Sequence, residues 1–423
     1  MYTINYSIER VSRVLQTVDS LKESEFPYKQ SQEALEDVER VLQQTLELLT
    51  DTHSFADQDD FAELVQTVCS ESLETIFNYL PLLGFILRST NVRNAFEVHG
   101  PVSRLAQKLL CPDTKLLVSS EWDYSPLAYV DIPGMSSFVL LGLPSPESSN
   151  PLLIPLAGHE LGHALWSNLS LTNHYYDSVT SSIQSDIDDH NELLELLRAL
   201  YKIPCDQTDM WSDIIFSSTI SPAVTWAVRQ AEETFCDFMG LRIFGEAFLH
   251  SFAYLLCPGE EYRQVEYPNI AIRVKNLLSA AGKWKLSIPA GYGNQFLPHS
   301  ASPPFVEESD KSQFQLKLAD EALSRHVNDL MDRADQYVAE KDIALPNKSV
   351  VSKIRKKFDL TIPAEDSQEL GNILNAGWMA YLDDRLWSNY PHIPSDVRKD
   401  RLRELILKNI EILDLEQRRL GLQ

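Results

Sequence analysis

The chain is short of positive charge. Its 37 Lys and Arg residues face 61 Asp and Glu, a formal net charge of −24 over 423 residues. Nucleic-acid and anionic-membrane surfaces are therefore poor partners, because neutralising phosphates takes clustered Lys and Arg. Cysteine is scarce as well. The five, Cys69, Cys111, Cys205, Cys236 and Cys257, are odd in number, widely spread and free of any Cys-x-x-Cys. That excludes a disulfide framework and a Cys-x-x-Cys metal knuckle, and it reads as free thiols in a reducing compartment. No long apolar run exists. The most apolar stretches, Ile76–Leu87 and Ala247–Leu256, fall well short of the roughly 20 residues that span a bilayer. The first ten residues lack a basic run followed by an apolar core, so they do not read as a signal peptide, and no C-terminal lipidation box is present. These absences give the expectation of a soluble cytoplasmic protein that binds neither nucleic acid nor membrane.

Hydrophobic residues at 44% with 15 glycines are globular values and exclude a disordered chain. The length suits one large domain or roughly two to three ordinary ones. No repeat or low-complexity tract is visible. Residues Ile8, Val11, Leu15 and Val18, and again Leu35, Val38, Leu42, Leu46 and Leu49, recur at helical spacing. An apolar helix follows near Leu73–Leu87, with Pro81 a candidate kink. After Thr114, the segments Lys115–Val118, Leu127–Val130 and Ser137–Leu143 read as short strands between Pro and Gly turns. Helical periodicity returns at Leu316, Ala319, Leu323, Val327, Leu330 and Ala334, and last at Leu402, Ile406, Ile410 and Leu413. Between these, residues 288–304 read as an irregular linker or a cover for a site.

The chemistry concentrates in His159-Glu160-Leu161-Gly162-His163. On a helix, residues four apart lie one turn above each other, so His159 and His163 can aim two imidazoles at one point. A Zn²⁺ would sit there, and Glu160 can reach a metal-bound water from the side as general base. The frame of Leu153, Ile154, Leu156, Ala157, Leu161, Ala164 and Leu165 marks a buried helix. Inward-facing histidines in such a helix are costly without a partner. A pair of hydrogen-bonded core histidines is the bland alternative. A catalytic zinc takes a third protein ligand. The metzincin continuation is excluded, because Trp166 and Leu169 stand where a glycine and a third histidine would be. The best downstream source is Glu232-Glu233-Thr234-Phe235-Cys236-Asp237. Glu233 can complete the metal site, and Asp237, one turn on, can accept a hydrogen bond from the far nitrogen of a ligand histidine. Glu232 is the runner-up ligand, weakened because its four-residue partner is Cys236.

These two motifs together resemble the gluzincin metallopeptidases, the thermolysin-like group. The resemblance implies His159, His163 and Glu233 as zinc ligands, Glu160 as general base and Asp237 as support for a ligand histidine. Residues 233–277, with Gly245-Glu246-Ala247-Phe248 and Tyr267-Pro268 running to Arg273, are also similar to uncharacterised bacterial zinc-peptidase-like proteins. The likeness covers roughly residues 120–280. It departs at Glu232, where the family carries an asparagine. The implied fold is α+β and mainly helical. A zincin-like core of small sheet and active-site helices occupies residues 96–310, between helical regions at 1–95 and 311–423. The resemblance also implies a sheet edge that takes the substrate as an added strand, with Ser137–Leu143 the candidate and a buried central strand the alternative.

The function expected is a zinc-dependent metallopeptidase acting on protein or peptide substrates. Zn²⁺ would activate water and Glu160 would shuttle its proton. Tyr267, Arg273, Tyr292 and His299 have the chemistry to stabilise an oxyanion, though a structural role is the commoner use of each. The helical flanks are expected to bind a regulatory partner or restrain access to the cleft. One rival is a helical interaction protein with a structural zinc domain; another is a zinc hydrolase of non-peptide amides. The acidic segment Ser185–Glu192 could hold a second cation, but reads better as a solvated helix boundary.

Overall fold

A computed structural model describes residues 2–26, 28–56, 58–89, 95–121, 126–130, 132–135, 137–144, 147, 150–201, 214–257, 264–296, 310–364, 369–394 and 397–421. Among them the chain is mainly helical, with fourteen α-helices and one small mixed sheet of three strands. It divides into two compact units, one of residues 1–107 and 111–149, the other of residues 108–110 and 150–423. The principal division thus falls at 149/150, whereas the sequence suggested divisions near 95 and 310. None of the described helices is long and apolar enough to cross a membrane.

The first unit opens with α1 (Tyr2–Lys22), α2 (Lys29–His53) and α3 (Ala62–Ser89), followed by α4 (Ala95–Leu109). The apolar faces read from periodicity meet in one core, in which Val11, Val18, Leu35, Val38, Leu42, Leu49, Phe85 and Ile86 are all fully buried. Lys22 to Glu39, 2.6 Å, ties α1 to α2 at the rim. The sheet consists of β1 (Lys115–Glu121), β2 (Leu127–Tyr129) and β3 (Phe138–Pro144), in the order β1-β3-β2. Strand β3 runs parallel to β1 and antiparallel to β2. Ser137–Leu143 therefore does not supply an edge. Bonded on both sides, with Phe138 through Gly142 buried, it is the central strand. Its unbroken apolar run is the signature of a strand covered on both faces, whereas an edge would alternate or carry charge.

The second unit holds the His-Glu-x-x-His segment. Pro151–Leu156 forms a fully buried 3-10 turn, started by the Asn150 side chain accepting from Leu152 N. Proline suits the first position of such a turn because its missing N–H would have no partner there. The turn runs into α5 (Ala157–Asn168), then α6 (Leu171–Asp189), α7 (Asn191–Tyr201) and the long α8 (Ile214–Phe244). Then come α9 (Glu246–Leu256), α10 (Ile270–Lys283), α11 (Asp310–Glu340), α12 (Lys348–Asp359), α13 (Leu370–Tyr381) and α14 (Arg398–Arg419).

Helix α8 is the spine. Helix α11 packs along it, fastened by Arg242 to Asp335 at 2.6 Å and by Gln315 Nε2 donating to Thr219 O at 2.8 Å. Gly245, at a positive φ of 60° that favours glycine, breaks α8 from α9. Asn375 of α13 accepts from Ala247 N at 3.0 Å and donates to Phe244 O at 2.7 Å, so one donor and one acceptor freed by the break are satisfied. The helices after residue 310 are thus structural members of the unit that contains the two motifs.

The acidic segment after Ser185 spans the end of α6 and the start of α7. Its buried Asp186 is paired with Arg325 of α11, so a guanidinium takes the place a second cation would need.

Helix α5 meets α8 through glycine. A Cβ placed on Gly162 would stand 2.9 Å from Cys236 Cα, and one on Gly158 would stand 3.0 Å from Gly240 Cα. A Cβ on Gly240 would stand 2.3 Å from the Phe248 ring. Gly240→Ala is therefore expected to destabilise the chain by about 1–3 kcal/mol through overpacking. Gly282→Ala, in α10 with nothing within 4 Å, should stabilise it by about 0.4–1 kcal/mol. Thermal melts of the two variants check the pair; equal melting temperatures would contradict this packing.

Candidate metal centre

The close approach of α5 and α8 brings the two motifs together. His159 and His163 lie one turn apart on α5, with ring centroids 5.1 Å apart. Across from them, α8 presents Glu232, Glu233, Cys236 and Asp237. Glu233 stands between the rings. Its Oε2 is 3.4 Å from His159 Nε2 and its Oε1 is 3.7 Å from His163 Nε2. The other ring nitrogens face other carboxylates: His159 Nδ1 is 3.0 Å from Asp237 Oδ1, and His163 Nδ1 is 2.9 Å from Glu232 Oε1. A carboxylate can only accept, so both Nδ1 atoms carry hydrogen and both Nε2 atoms turn toward Glu233.

Glu232 and Glu233 are thereby distinguished by position. On a helix, consecutive residues project about 100° apart. Glu233 takes the Nε2 side of His163 and Glu232 the Nδ1 side. The hydrogen bond from His163 to Glu232 was not foreseen in the sequence, where Glu232 figured only as the runner-up ligand.

Asp237 is clamped by Arg273 of α10. Nε donates to Oδ2 and Nη2 to Oδ1, both at 2.8 Å. The guanidinium lies 5.1 Å from the Phe252 ring centre and 5.6 Å from that of Tyr267. Burial alone would push the Asp237 carboxyl up; the Arg273 charge and the His159 hydrogen bond outweigh it and hold the group at about 2. Breaking such a buried pair costs about 3–5 kcal/mol, because the surviving charge is left uncompensated. Arg273 was a candidate oxyanion donor by chemistry alone. Its hydrogen bonds to Asp237, with Nη2 a further 3.8 Å from Glu233 Oε2, instead make it a brace for the acids.

Glu160 is buried in the first turn of α5. Burial pushes its carboxyl up, the Glu233 charge adds to this, and His159, His163 and Arg273 pull the other way without reversing it. Cys236, opposite Gly162, is fully buried, and burial with four surrounding carboxylates pushes its thiol well up. Of the other residues marked in the sequence, Tyr292 is buried and donates to Leu249 O at 2.9 Å, a structural use. Tyr267 is 37% exposed. Its hydroxyl is pushed up to about 12, chiefly by the Glu233 charge and then by burial. His299 lies outside the described residues.

This arrangement can hold a metal ion. One ligand atom each from His159, His163 and Cys236 lie within 4.8 Å of one another. Glu233 Oε2 is buried and makes no hydrogen bond of normal geometry, with the His159 ring at 3.4 Å and the Arg273 guanidinium at 3.8 Å beside it. Sequence reasoning passed over Cys236 as a small core residue. Its place one turn from Glu233 on the same helix was the available signal. No family model matches the chain, and no curated protein or solved structure is significantly similar to it.

In the metal-free chain, burial disfavours the charged His159 ring, but Asp237 and Glu233 outweigh it and push the group up to about 10. Below that value the ring is a cation, and a metal must displace its Nε2 proton. The apparent zinc affinity should thus rise with pH, by at least about tenfold per unit between about pH 6 and 8. Chelator competition measures this, and calorimetry in buffers of different ionisation enthalpy counts the protons released. A pH-independent affinity without proton release would contradict the site described.

Proposed function

We propose that the chain is a zinc-dependent hydrolase of peptide bonds, built on a zincin-like pair of helices. His159, His163 and Glu233 hold the ion and Glu160 serves as general base. One observation carries the reading: both Nε2 atoms converge on the two oxygens of Glu233, with Glu160 buried on the same helix turn. Two imidazoles and a carboxylate are a donor set that zinc favours, and three protein ligands leave a position open.

Zinc bound there would supply a Lewis acid that lowers the pKa of water toward about 7 and polarises a carbonyl. The chain's own residues do the rest. Glu160, its carboxyl pushed up by burial, takes a proton from the attacking water and returns it to the leaving amine. Asp237 and Glu232 hold the Nδ1–H form of each histidine. Arg273 keeps Asp237 ionised and fixed in place. Tyr267, partly exposed and with its ring 5.6 Å from the Arg273 guanidinium, is a candidate hydroxyl to meet a developing oxyanion. A reducing, cytoplasmic setting goes with this reading, since Cys69, Cys111, Cys236 and Cys257 are all free.

Cys236 supports a second reading. Its nearness to the histidines would let a thiolate join Glu233 and close a four-ligand structural site with no open position. We favour Glu233 with an open position. Its charge is already formed, since hydrogen bonding to His159 and the nearby cations hold its carboxyl below the usual range against burial. The Cys236 thiol would have to ionise among four acids.

Zinc content and cleavage of a fluorescently labelled unfolded protein test the two readings together. Glu160→Gln should keep one zinc per chain and lose about 10²–10⁴-fold in hydrolysis, the usual worth of a general base. Cys236→Ala should keep both zinc and cleavage, and Glu233→Ala should lose both. Zinc lost from Cys236→Ala but retained by Glu233→Ala would favour the closed site. Full turnover by Glu160→Gln would place the chemistry elsewhere.

A further inference from the structure

The two ligand histidines are supported from behind in different ways. On the inner side, Asp237 and its Arg273 clamp are buried, with side-chain exposures of 3% and 9%. On the outer side, Glu232 holds His163 Nδ1 through Oε1 at 2.9 Å, while its Oε2 accepts from Arg229 at 3.2 Å. That second brace is weak, because the Arg229 side chain is 62% exposed and an exposed pair contributes little. The Glu232 side chain itself is only 13% exposed. A mostly buried carboxylate needs a better partner than a solvated arginine three residues away, and His163 is that partner.

We propose that Glu232 is a positioning residue for the metal centre. By accepting from His163 Nδ1–H, it fixes the tautomer and plane of the ring, so that Nε2 presents its lone pair on the Glu233 side. Its negative charge also makes that nitrogen a stronger donor to a divalent cation. Glu232 is not itself a ligand: Oε1 lies on the nitrogen of His163 turned away from Glu233, and Oε2 is engaged by Arg229. The site therefore carries two carboxylate–histidine pairs, one locked by Arg273 and one braced only at the surface. A plain surface ion pair between Glu232 and Arg229 is the competing account, and it predicts no effect on the metal.

The inference rests on the metal reading of the site, and zinc affinity separates the two. The full chain is stripped and titrated with zinc against a chromophoric chelator, as wild type, Glu232→Gln, Glu232→Ala and Arg229→Ala. Glu232→Ala should lose about 10–100-fold in affinity, the range for loss of a partner that supports a ligand histidine. Glu232→Gln keeps an accepting oxygen without the charge, so it should fall between Ala and wild type. Arg229→Ala should stay within about twofold, as suits an exposed pair. Melting of each metal-free variant separates a folding defect from lost support, and the nearly isosteric Gln variant guards the test if Ala misfolds. A wild-type chain that takes up no zinc would sink the metal reading itself. A zinc-binding wild type with Gln and Ala variants of unchanged affinity would overturn only the role of Glu232. So would a Glu232→Ala chain that loses zinc as completely as Glu233→Ala, since Glu232 would then be a ligand.

Discussion

The contact between α5 and α8 is the constraint on which the site depends. Gly158 and Gly162 on one helix meet Gly240 and Cys236 on the other with no room for a further methyl group. Only at that separation can carboxylates on α8 reach imidazoles on α5. Larger side chains at this contact would push the two helices apart, and the added distance would open the 3.4 and 3.7 Å approaches of Glu233 to the rings. The surrounding unit keeps the pair in place. Helix α11 lies along α8, and Asn375 fastens the α8–α9 break. Trp378 Nε1 and Ser251 Oγ both donate to Leu152 O in the turn that leads into α5.

Electrostatics explains why this tight contact calls for a cation. Glu160, Glu232, Glu233 and Asp237 cluster around two imidazoles, and Arg273 is the buried permanent counter-charge among them. In the metal-free chain a proton on His159 supplies further positive charge, which is why its ring is held so far above an ordinary histidine. A divalent ion bound there would replace that proton with a larger charge, beside the Glu233 Oε2 that lies 3.4 Å from His159 Nε2. Burial, and then the same acids, push the Cys236 thiol well up, which weighs against sulfur as a ligand in the proposed site.

Much of this was legible in the sequence, and what was not has a physical reason. The four-residue spacings of His159 with His163 and of Glu233 with Asp237 are local, so helix geometry alone predicts a shared face, and both pairs do meet. The bond from Asp237 to His159 follows from the same logic. The helices at both ends were readable from their apolar periodicity, and so were the three strands. Strand order was not readable, because pairing is a long-range property; the buried run at Phe138–Gly142 was the one clue that β3 is central. The Arg273 clamp spans 36 residues, and no local pattern announces it. The bond between Glu232 and His163 joins two helices 69 residues apart, so spacing along one helix could not show it. The helices after residue 310 looked like an appendage because they carry no ligand chemistry, although α11 is built into the wall of α8.

The central claim is that two imidazole nitrogens and a Glu233 oxygen, without the Cys236 sulfur, surround a zinc ion. X-ray absorption at the zinc edge of the loaded chain tests this most directly. The account predicts a first shell of nitrogen and oxygen at about 2.0–2.2 Å with the multiple-scattering pattern of two imidazoles. A sulfur scatterer at about 2.3 Å, or a zinc ion without histidine scattering, would contradict it.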